Sequence, residues 1–431
     1  MDPSRRTFIK ESAIAAAAIG VAPAVKAAGA NGKLVVGQIG CGNRSKTLVP
    51  ALNTLKNVEI AYVCDPDADR AAAAAKLAGG AKVVGDLRKV LDDKSVDAVL
   101  VATPDHWHAP AALLAMEAGK HVYLEKPCSH TLREGRLLIE AAQRHKRVIQ
   151  HGTQARSSQA FQSVVQMLGE GIIGDVLVAK AWNIQRRKPI GYGQPSDPPS
   201  QLDYETWIGP AEMCPYQSNR LHYNWHWWHD FGCGGIGNDG IHHVDYARWG
   251  LGMKGLPTRI SANGGKYFFE DDQQFPDTQQ VAFEYSDGDK KRMLVYEQRL
   301  WAVTYPYNVD SGAEFYGTEG EMFVTNRGKF HILGRRRKKI VRKLPDDIKP
   351  SVPVHQQNWI DCIRDGSRPN GDIETAHETA AVVHLGNIAS RVNRTLNFDP
   401  VKEEIIDDAE ANALLSGKYR KDGHWATPKY A

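Results

Sequence analysis

Two different hydrophobic patterns divide the chain, and the change falls near Thr153. Before that residue, short β-branched runs alternate with alanine-rich stretches, which is typical of parallel strands covered by helices. We therefore predict a parallel sheet in the first part of the chain, built from five strands: Leu34 to Ile39, Val58 to Cys64, Ala98 to Ala102, His121 to Leu124 and Arg147 to His151.

After Thr153 the chain has long Pro-, Gly- and Trp-rich connections, and its strands alternate between apolar and polar residues. Gln280 to Tyr285 and Arg292 to Gln298 are examples that predict an open, mainly antiparallel sheet. Helices are predicted from Val354 to Asp365 and from Ile373 to Asn393. The expected fold class is α/β, with a parallel-sheet domain over residues 31–152 and an α+β domain over residues 153–431.

Residues 1–30 carry the pattern of a twin-arginine export signal. Arg5 and Arg6 precede Phe8 and Lys10, and an alanine-rich stretch leads to small residues near Ala28 that suit cleavage. The twin-arginine export machinery is then expected to carry the folded protein to the periplasm or another exported location. A chance Arg-Arg pair before a short buried helix is the alternative. No other apolar run approaches the ~20 residues of a membrane span, so none is expected in the mature form.

Composition narrows the classes of partner. The 431 residues include 54 basic and 50 acidic side chains, and the net charge of +4 gives no field that would favour nucleic acid. The basic run from Arg335 to Lys339 is interpreted as a charged sheet edge. The six cysteines lack C-x-x-C spacing, so we expect buried thiols rather than a disulfide framework.

A glycine-rich turn follows the first predicted strand. Gly40 allows a sharp turn, and Gly42 allows backbone amides to approach a pyrophosphate, although Ser45 stands where a third glycine is usual. Asp65, at the end of the second strand, is placed to accept hydrogen bonds from an adenosine ribose. Because Asp65 and Asp67 would repel a ribose phosphate, NAD is favoured over NADP as the cofactor. A plain tight turn and a strand-end turn aspartate are the alternatives.

Two further segments lie at strand ends, Ala102-Thr103-Pro104 and the run from Gly119 to Glu125-Lys126-Pro127. With the glycine turn, they make the mature chain resemble the Gfo/Idh/MocA oxidoreductases, named after glucose-fructose oxidoreductase and inositol dehydrogenase. The resemblance implies a Rossmann-type NAD(P) domain, a second domain whose open sheet faces a partner subunit in a homo-oligomer, and sugar or cyclitol substrates. The expected cofactor-binding residues are Gly40, Gly42, Asn43, Arg44, Asp65, Thr103, Pro104, His108, Glu125 and Lys126.

The same resemblance assigns roles to Lys126 and Pro127. Lys126 matches the family lysine that touches both the nicotinamide ribose and the substrate, and Pro127 matches the family's cis-proline. A surface lysine that simply follows a strand is the alternative interpretation of Lys126.

The segment Asn238-Asp239-Gly240-Ile241-His242-His243-Val244-Asp245 offers two registers for the family's acid and histidine base. Asp239 precedes His243 by four residues, and Asn238 precedes His242 by four. The positions of Gly240 and Asp245 favour the second register, so His242 is the expected base. With Asn238 in place of an aspartate, His242 is expected to be a weaker base than is usual in the family. The expected catalytic residues are Lys126, His242, Asn238 and Asp239.

The segment from Arg220 to Asp230 is dense in indoles and imidazoles, which suit the apolar faces and hydroxyls of a sugar. The expected substrate residues are His226 and Trp228 from this segment and His243 from the segment Asn238 to Asp245. A zinc site at His222, His226 and His229 is the alternative, but no Cys or Glu partner motif accompanies them, and no metal is expected.

The predicted activity is hydride transfer between a hydroxyl carbon of a sugar or cyclitol and a nicotinamide cofactor. His242 would take the hydroxyl proton, with Lys126 relaying it or stabilising the charge. Two alternatives remain: a redox-neutral glycosidase that oxidises, eliminates and re-reduces its glycoside, and a cofactor-bound sugar-binding protein without turnover.

Overall fold

The structure is a computed structural model that describes residues 32–288, 290–345 and 349–429. The predicted export signal lies outside the described residues. Within these three ranges, no helix combines the length and the apolar character needed to cross a membrane.

The first sheet has six parallel strands in the order β3-β2-β1-β4-β5-β6. Strand β1 pairs with β2, where Leu34 lies beside Val58, and with β4, where Val36 lies beside Ala98. The predicted parallel sheet is confirmed, but strand β3 was missed because it is short and two of its three residues are exposed. The strands are β1 (Leu34–Ile39), β2 (Val58–Cys64), β3 (Lys82–Val84), β4 (Ala98–Val101), β5 (His121–Leu124) and β6 (Ile149–His151).

Helices cover both faces of this sheet, which explains why every residue of β4 and β5 is buried. The strand order reverses between β1 and β4, so a crevice opens at the carboxyl ends of the strands there. The helices of this part of the chain are α1 (Ser45–Asn53), α2 (Ala68–Leu77), α3 (Arg88–Leu91), α4 (Asp105–Glu117) and α5 (Leu132–His145).

The second sheet has ten strands in the order β14-β13-β12-β11-β7-β10-β9-β8-β15-β16. Strands β7 and β10 run parallel, and the other neighbouring pairs are antiparallel, as predicted. The predicted basic edge forms the turn before β14, at one end of the sheet. The strands are β7 (Val176–Ile184), β8 (Arg259–Gly265), β9 (Thr278–Asp287), β10 (Lys290–Arg299), β11 (Ser311–Gly317), β12 (Gly320–Val324), β13 (Phe330–Gly334), β14 (Lys339–Ile340), β15 (Leu396–Asp399) and β16 (Glu404–Ile405).

Helices pack on one face of the second sheet, with α8 against β7 and β11 and α10 against β8. Helix α10 also packs on α5 and therefore joins the two sheets, whereas α9 packs on α1 and β5 of the first sheet. The opposite face presents apolar side chains to solvent, including Leu177 and Tyr316. All six cysteines are free thiols. The helices are α6 (Gln159–Gly169), α7 (Tyr204–Ile208), α8 (Ile241–Leu251), α9 (Val352–Asp365), α10 (Ile373–Val392) and α11 (Ala409–Ala413).

Candidate functional site

A cleft of about 370 Å³ lies at the carboxyl ends of β1, β2, β4 and β5. Its far wall comes from the second part of the chain, through the loop around Tyr223 and the turn that holds Asn238. All ten residues expected to bind the cofactor line this cleft: Gly40, Gly42, Asn43, Arg44, Asp65, Thr103, Pro104, His108, Glu125 and Lys126.

The glycine turn leaves room and hydrogen-bond donors for an anion. Gly40 has φ of +86°, and a Cβ there would lie 2.6 Å from the backbone of Ala102. At Gly42 the nearest atom to an added Cβ is 3.7 Å away. In the described part of the chain, the backbone amides of Gly42, Asn43 and Arg44 have no acceptor, and α1 begins directly after them without a side-chain cap. Free amides at the positive end of a helix fit the pyrophosphate of a dinucleotide.

Asp65 is fixed at the end of β2. Its carboxylate accepts hydrogen bonds from the amides of Cys41 at 2.6 Å and Asp67 at 2.9 Å. Burial raises the pKa of Asp65 to about 6, and the two amides oppose that rise. Asp67 caps α2 and lies 3.4 Å from His222. Two carboxylates at this position suit the hydroxyls of an adenosine ribose and disfavour a phosphate there.

Arg44 is paired with a carboxylate. Its Nε donates to Oε1 of Glu125 at 2.8 Å. Burial opposes ionisation of Glu125, but the charges of Arg44 and Lys126 lower the pKa of this carboxyl to about 2. Glu125 therefore carries a negative charge in the cleft and holds Arg44 in an ion pair.

Lys126 connects the two parts of the chain. Its Nζ donates to the backbone oxygen of Asn238 at 2.5 Å and lies 3.2 Å from the side-chain oxygen of the same residue. The Lys126–Pro127 peptide bond is cis. The ring nitrogens of buried His108 lie 2.5 Å from the Pro127 carbonyl and 2.9 Å from the Thr103 carbonyl, so His108 connects the loops after β4 and β5.

The segment Ile236–Gly240 forms a π-helical turn that leads into α8. Asn238 meets Lys126, and His242 follows on the same side. Burial and the positive charge of Lys126 lower the pKa of His242 to about 3, so its imidazole is neutral near pH 7. Further along this face, Asp245 accepts hydrogen bonds from Arg156 at 2.8 Å.

Asp239 and His243 lie on the other face. Asp239 pairs with Arg187 and accepts from Gln185 at 3.1 Å, and burial opposes its ionisation while the charge of Arg187 lowers its pKa. The Nδ1 atom of His243 lies 2.7 Å from the Tyr246 hydroxyl. Asn238 lines the cleft, but neither His242 nor His243 is among its lining residues. Lys126 contacts Asn238, and its charge acts on His242 and also on Asp239. The choice of His242 as the base stays a prediction.

The aromatic segment contributes different residues from those expected. His226 lines the cleft, stacked on Trp225 with ring centres 3.5 Å apart. Trp228 lies outside the cleft lining, because the backbone becomes extended there after a 3₁₀ turn and the indole packs beside Phe231. The Trp228 Nε1 donates to the Asn219 carbonyl at 3.2 Å. Of the three expected substrate residues, His226 lines the cleft, whereas Trp228 and His243 do not.

Tyr223 is a cleft residue that sequence reasoning missed. Its φ of +91° is unusual for an aromatic residue, and such strain concentrates at functional sites. The Tyr223 hydroxyl accepts from the side chain of Asn238 at 3.3 Å and from Arg187. Because Arg187 also pairs with Asp239, the Tyr223 hydroxyl links Asn238 to the ion pair of Arg187 and Asp239.

The three histidines of the zinc alternative lie in separate environments. His222 lies beside Asp67, His226 stacks on Trp225, and the ring of His229 lies 4.3 Å from that of Phe275. Among the described residues, no group of three or more His, Cys, Asp or Glu side chains is placed to hold a metal ion.

The fold and the cleft together define an NAD-binding oxidoreductase. Residues 34–153 match the family model for the NAD-binding Rossmann fold of the Gfo/Idh/MocA oxidoreductase family, and residues 191–426 match the model for its C-terminal alpha/beta domain. The chain belongs to this family.

Curated relatives include dehydrogenases and a glycosidase. The inositol 2-dehydrogenase 2 of Saccharopolyspora erythraea is 31% identical over 51% of this chain and 54% of that protein. A glycosyl hydrolase family 109 protein of the same organism is 34% identical over 40% of this chain and 44% of that protein. These matches span about half of those relatives' lengths. The scyllo-inositol 2-dehydrogenase (NAD(+)) of Bacillus subtilis is 25% identical over 74% of this chain and 82% of that protein.

Solved structures share the fold. Levoglucosan dehydrogenase in complex with NADH and levoglucosan has a TM-score of 0.66 and 19% identity, over 85% of this chain and 99% of that one. The WlbA dehydrogenase from Bordetella pertussis, in complex with NADH and UDP-GlcNAcA, has a TM-score of 0.65 and 19% identity over the same shares.

Proposed function

We propose that this protein transfers a hydride between a hydroxyl-bearing carbon of a sugar or cyclitol and NAD. The observation that carries the proposal is the position of Lys126. Its ammonium group lies in the cleft that holds the glycine turn and Asp65, and it contacts Asn238 from the second part of the chain. A cation at this junction is placed to meet both the cofactor and a substrate.

The proton that leaves the substrate hydroxyl goes to His242. Burial and the charge of Lys126 lower the pKa of His242 to about 3, so at neutral pH its imidazole is uncharged and one ring nitrogen can accept a proton. NAD, when bound, supplies the acceptor for the hydride. The charge of Lys126 stabilises the negative charge that develops on the substrate oxygen, and Asn238 orients the lysine.

The substrate class follows from the wall opposite the glycine turn. Tyr223, Trp225 and His226 present aromatic faces and hydrogen-bonding groups to the cleft, and such surfaces suit a polyhydroxylated ring. Relatives named for inositol, and a structural neighbour that holds levoglucosan, support this class.

A panel assay tests the proposal. The purified protein is supplied with NAD and a set of sugars and cyclitols, and reduced nicotinamide is followed by its absorbance. We expect reduction with at least one class of polyol. A protein that binds NAD and a sugar but produces no NADH with any of them, and reduces no ketosugar in reverse, would contradict the proposal.

A second candidate, a redox-neutral glycosidase, is favoured by the 34% identity to a glycosyl hydrolase family 109 protein. In such a cycle the same hydride leaves the substrate and returns to it, so no external acceptor is consumed. Incubation with glycosides and no added acceptor should then release free sugar. Mere ketosugar formation that depends on added NAD would exclude this cycle. A dinucleotide that co-purifies and does not exchange would support it.

We further propose that residues 1–30 direct export through the twin-arginine route. The Arg5 and Arg6 pair and the small residues near Ala28 support this assignment. A reporter fusion with both arginines replaced by lysine should remain in the cytoplasm, and continued export would reject the assignment.

Self-association is also proposed. The face of the second sheet opposite its helices exposes Leu177 and Tyr316, which suits a second copy of the chain. Light scattering should give a multiple of the monomer mass, and Leu177→Asp should lower it. A monomeric wild type would contradict the proposal.

A further inference from the structure

A tryptophan from the end of the chain lines the cleft far from Lys126. Trp425 shares the lining with Asp65, Leu87 and Trp207. Asp65 follows β2, whereas Lys126 follows β5, three strands along the sheet. Since neighbouring strands lie about 4.8 Å apart, these two ends of the cleft are separated by about 14 Å. The Trp425 indole lies beside Arg88, which follows β3, and β3 pairs with β2. Trp425 therefore belongs to the end of the cleft where Asp65 would meet an adenosine ribose.

The segment that carries Trp425 is anchored on both sides. Before it, the Arg420 amide donates to the Pro210 carbonyl at 3.0 Å, and the Arg420 side chain pairs with Glu205. After it, Ala426 is buried in the core of the first sheet's helices. Trp425 itself is 40% exposed. The indole is thus held at the cleft and stays partly exposed.

Neighbouring groups complete an aromatic pocket. The guanidinium of Arg88 lies 4.4 Å from the centre of the Trp425 ring, and Arg88 is paired with Asp86 at 2.7 Å. The ring of Trp107 lies 5.9 Å from that of Trp425. One face of the indole is therefore engaged by a cation, and the site offers π-surfaces to a planar base.

We propose that Trp425 contacts the adenine ring of the bound dinucleotide and slows its release. The inference rests on the proposed function, since it concerns retention of the NAD that the reaction uses. Stacking of a base on an aromatic side chain lowers the dissociation constant by roughly 5- to 100-fold. A tightly held dinucleotide also suits an enzyme that restores its own cofactor after export.

Calorimetric titration of AMP and nicotinamide mononucleotide tests this without any turnover. We expect Trp425→Ala to weaken AMP binding roughly 5- to 100-fold and to leave nicotinamide mononucleotide unchanged, whereas Trp425→Phe keeps most of the AMP affinity. If the alanine variant does not fold, Trp425→Leu replaces it, because leucine keeps an apolar contact but has no aromatic ring. Tyr267→Ala is the matched control, since Tyr267 is a 72% exposed aromatic residue outside the cleft.

Two results would overturn the inference: an unchanged AMP affinity in Trp425→Ala and Trp425→Leu, or an equal loss for both probes. Failure of the proposed function looks different. Suppose that the wild type binds AMP, that Trp425→Ala loses this binding, and that the wild type oxidises no polyol. This result contradicts the proposed reaction but supports the role of Trp425.

Discussion

The ammonium group of Lys126 lies 2.5 Å from the backbone oxygen of Asn238, a residue 112 positions further along the chain. This contact joins the loop after β5 to the π-helical turn before α8. With the side-chain oxygen of Asn238 at 3.2 Å, it occupies two of the three N–H donors of the lysine. The third donor is left for a substrate oxygen, so the relationship positions the cation for chemistry as well as joining the two parts of the chain.

Replacing Lys126 by alanine should lower kcat/KM for polyol oxidation by more than about 100-fold, because the charge that stabilises the developing alkoxide is lost. AMP affinity should be unchanged, since the adenosine end of the cleft is distant. Lys46→Ala, an exposed lysine on α1, is the matched control. Ligand binding and rates that are unchanged in Lys126→Ala would instead support a sugar-binding protein without turnover.

The two adjacent histidines should respond differently to the same change. His242→Asn should lower kcat by about 10²- to 10⁴-fold, the usual contribution of a general base. His243→Asn should leave kcat nearly intact and lower the free energy of unfolding by about 1 kcal/mol, because His243 bonds to the Tyr246 hydroxyl. Steady-state rates and denaturant unfolding of both variants test these expectations. A large loss of kcat in His243→Asn with kcat nearly intact in His242→Asn would reassign the base to His243.

Asn238→Asp tests how the π-helical turn sets the basicity of His242. A carboxylate there would favour the protonated imidazole and raise the pKa of His242, which in the wild type is held at about 3. The wild type should therefore show no decline in kcat/KM from His242 protonation between pH 8 and 5, and the acid limb should move to higher pH in the variant. Asn238→Ala is the control without charge. An identical pH profile in all three proteins would remove His242 from the proton-transfer step.

The first sheet was predictable because its signals are local. Each of its central strands is a short buried run, and burial on both faces demands apolar residues at nearly every position. The topology then brings residues that follow β1, β2, β4 and β5 to one edge, which is why the glycine turn, Asp65 and Lys126 share a cleft. Strand β3 lacked this signal, since a short edge strand is only partly buried.

The far wall of the cleft was harder to predict. Trp225 and Trp228 are three residues apart and chemically alike, yet a 3₁₀ turn brings the first to the cleft and packs the second in a core. Tyr223 adopts a positive φ, which its residue type does not predict. Trp425 reaches the cleft through the packing of a segment more than 350 residues after Asp65, with Ala426 buried against the helices of the first sheet. Such placements depend on tertiary contacts rather than on pattern.

Burial holds many histidines neutral. It lowers the pKa to about 3 or 4 in ten of them: His106, His108, His121, His151, His226, His229, His242, His243, His355 and His384. Burial also raises the pKa of three carboxyl groups, to about 6 in Asp65 and about 7 in Asp105 and Glu134.

The free energy of unfolding should therefore fall as the pH is lowered from about 6.5 to 5. In that window the unfolded chain binds protons at imidazoles with ordinary pKa values near 6.5, whereas the folded protein leaves them neutral, and each proton contributes about 1.4 kcal/mol per pH unit. The three raised carboxyls act in the opposite direction, since the folded state holds their protons and is stabilised at low pH, but ten groups outweigh three. Urea titrations at several pH values measure the slope, and His384→Gln, which removes one buried imidazole, should reduce it by up to one proton. Stability that rises toward pH 5 would show that these rings are protonated in the folded protein.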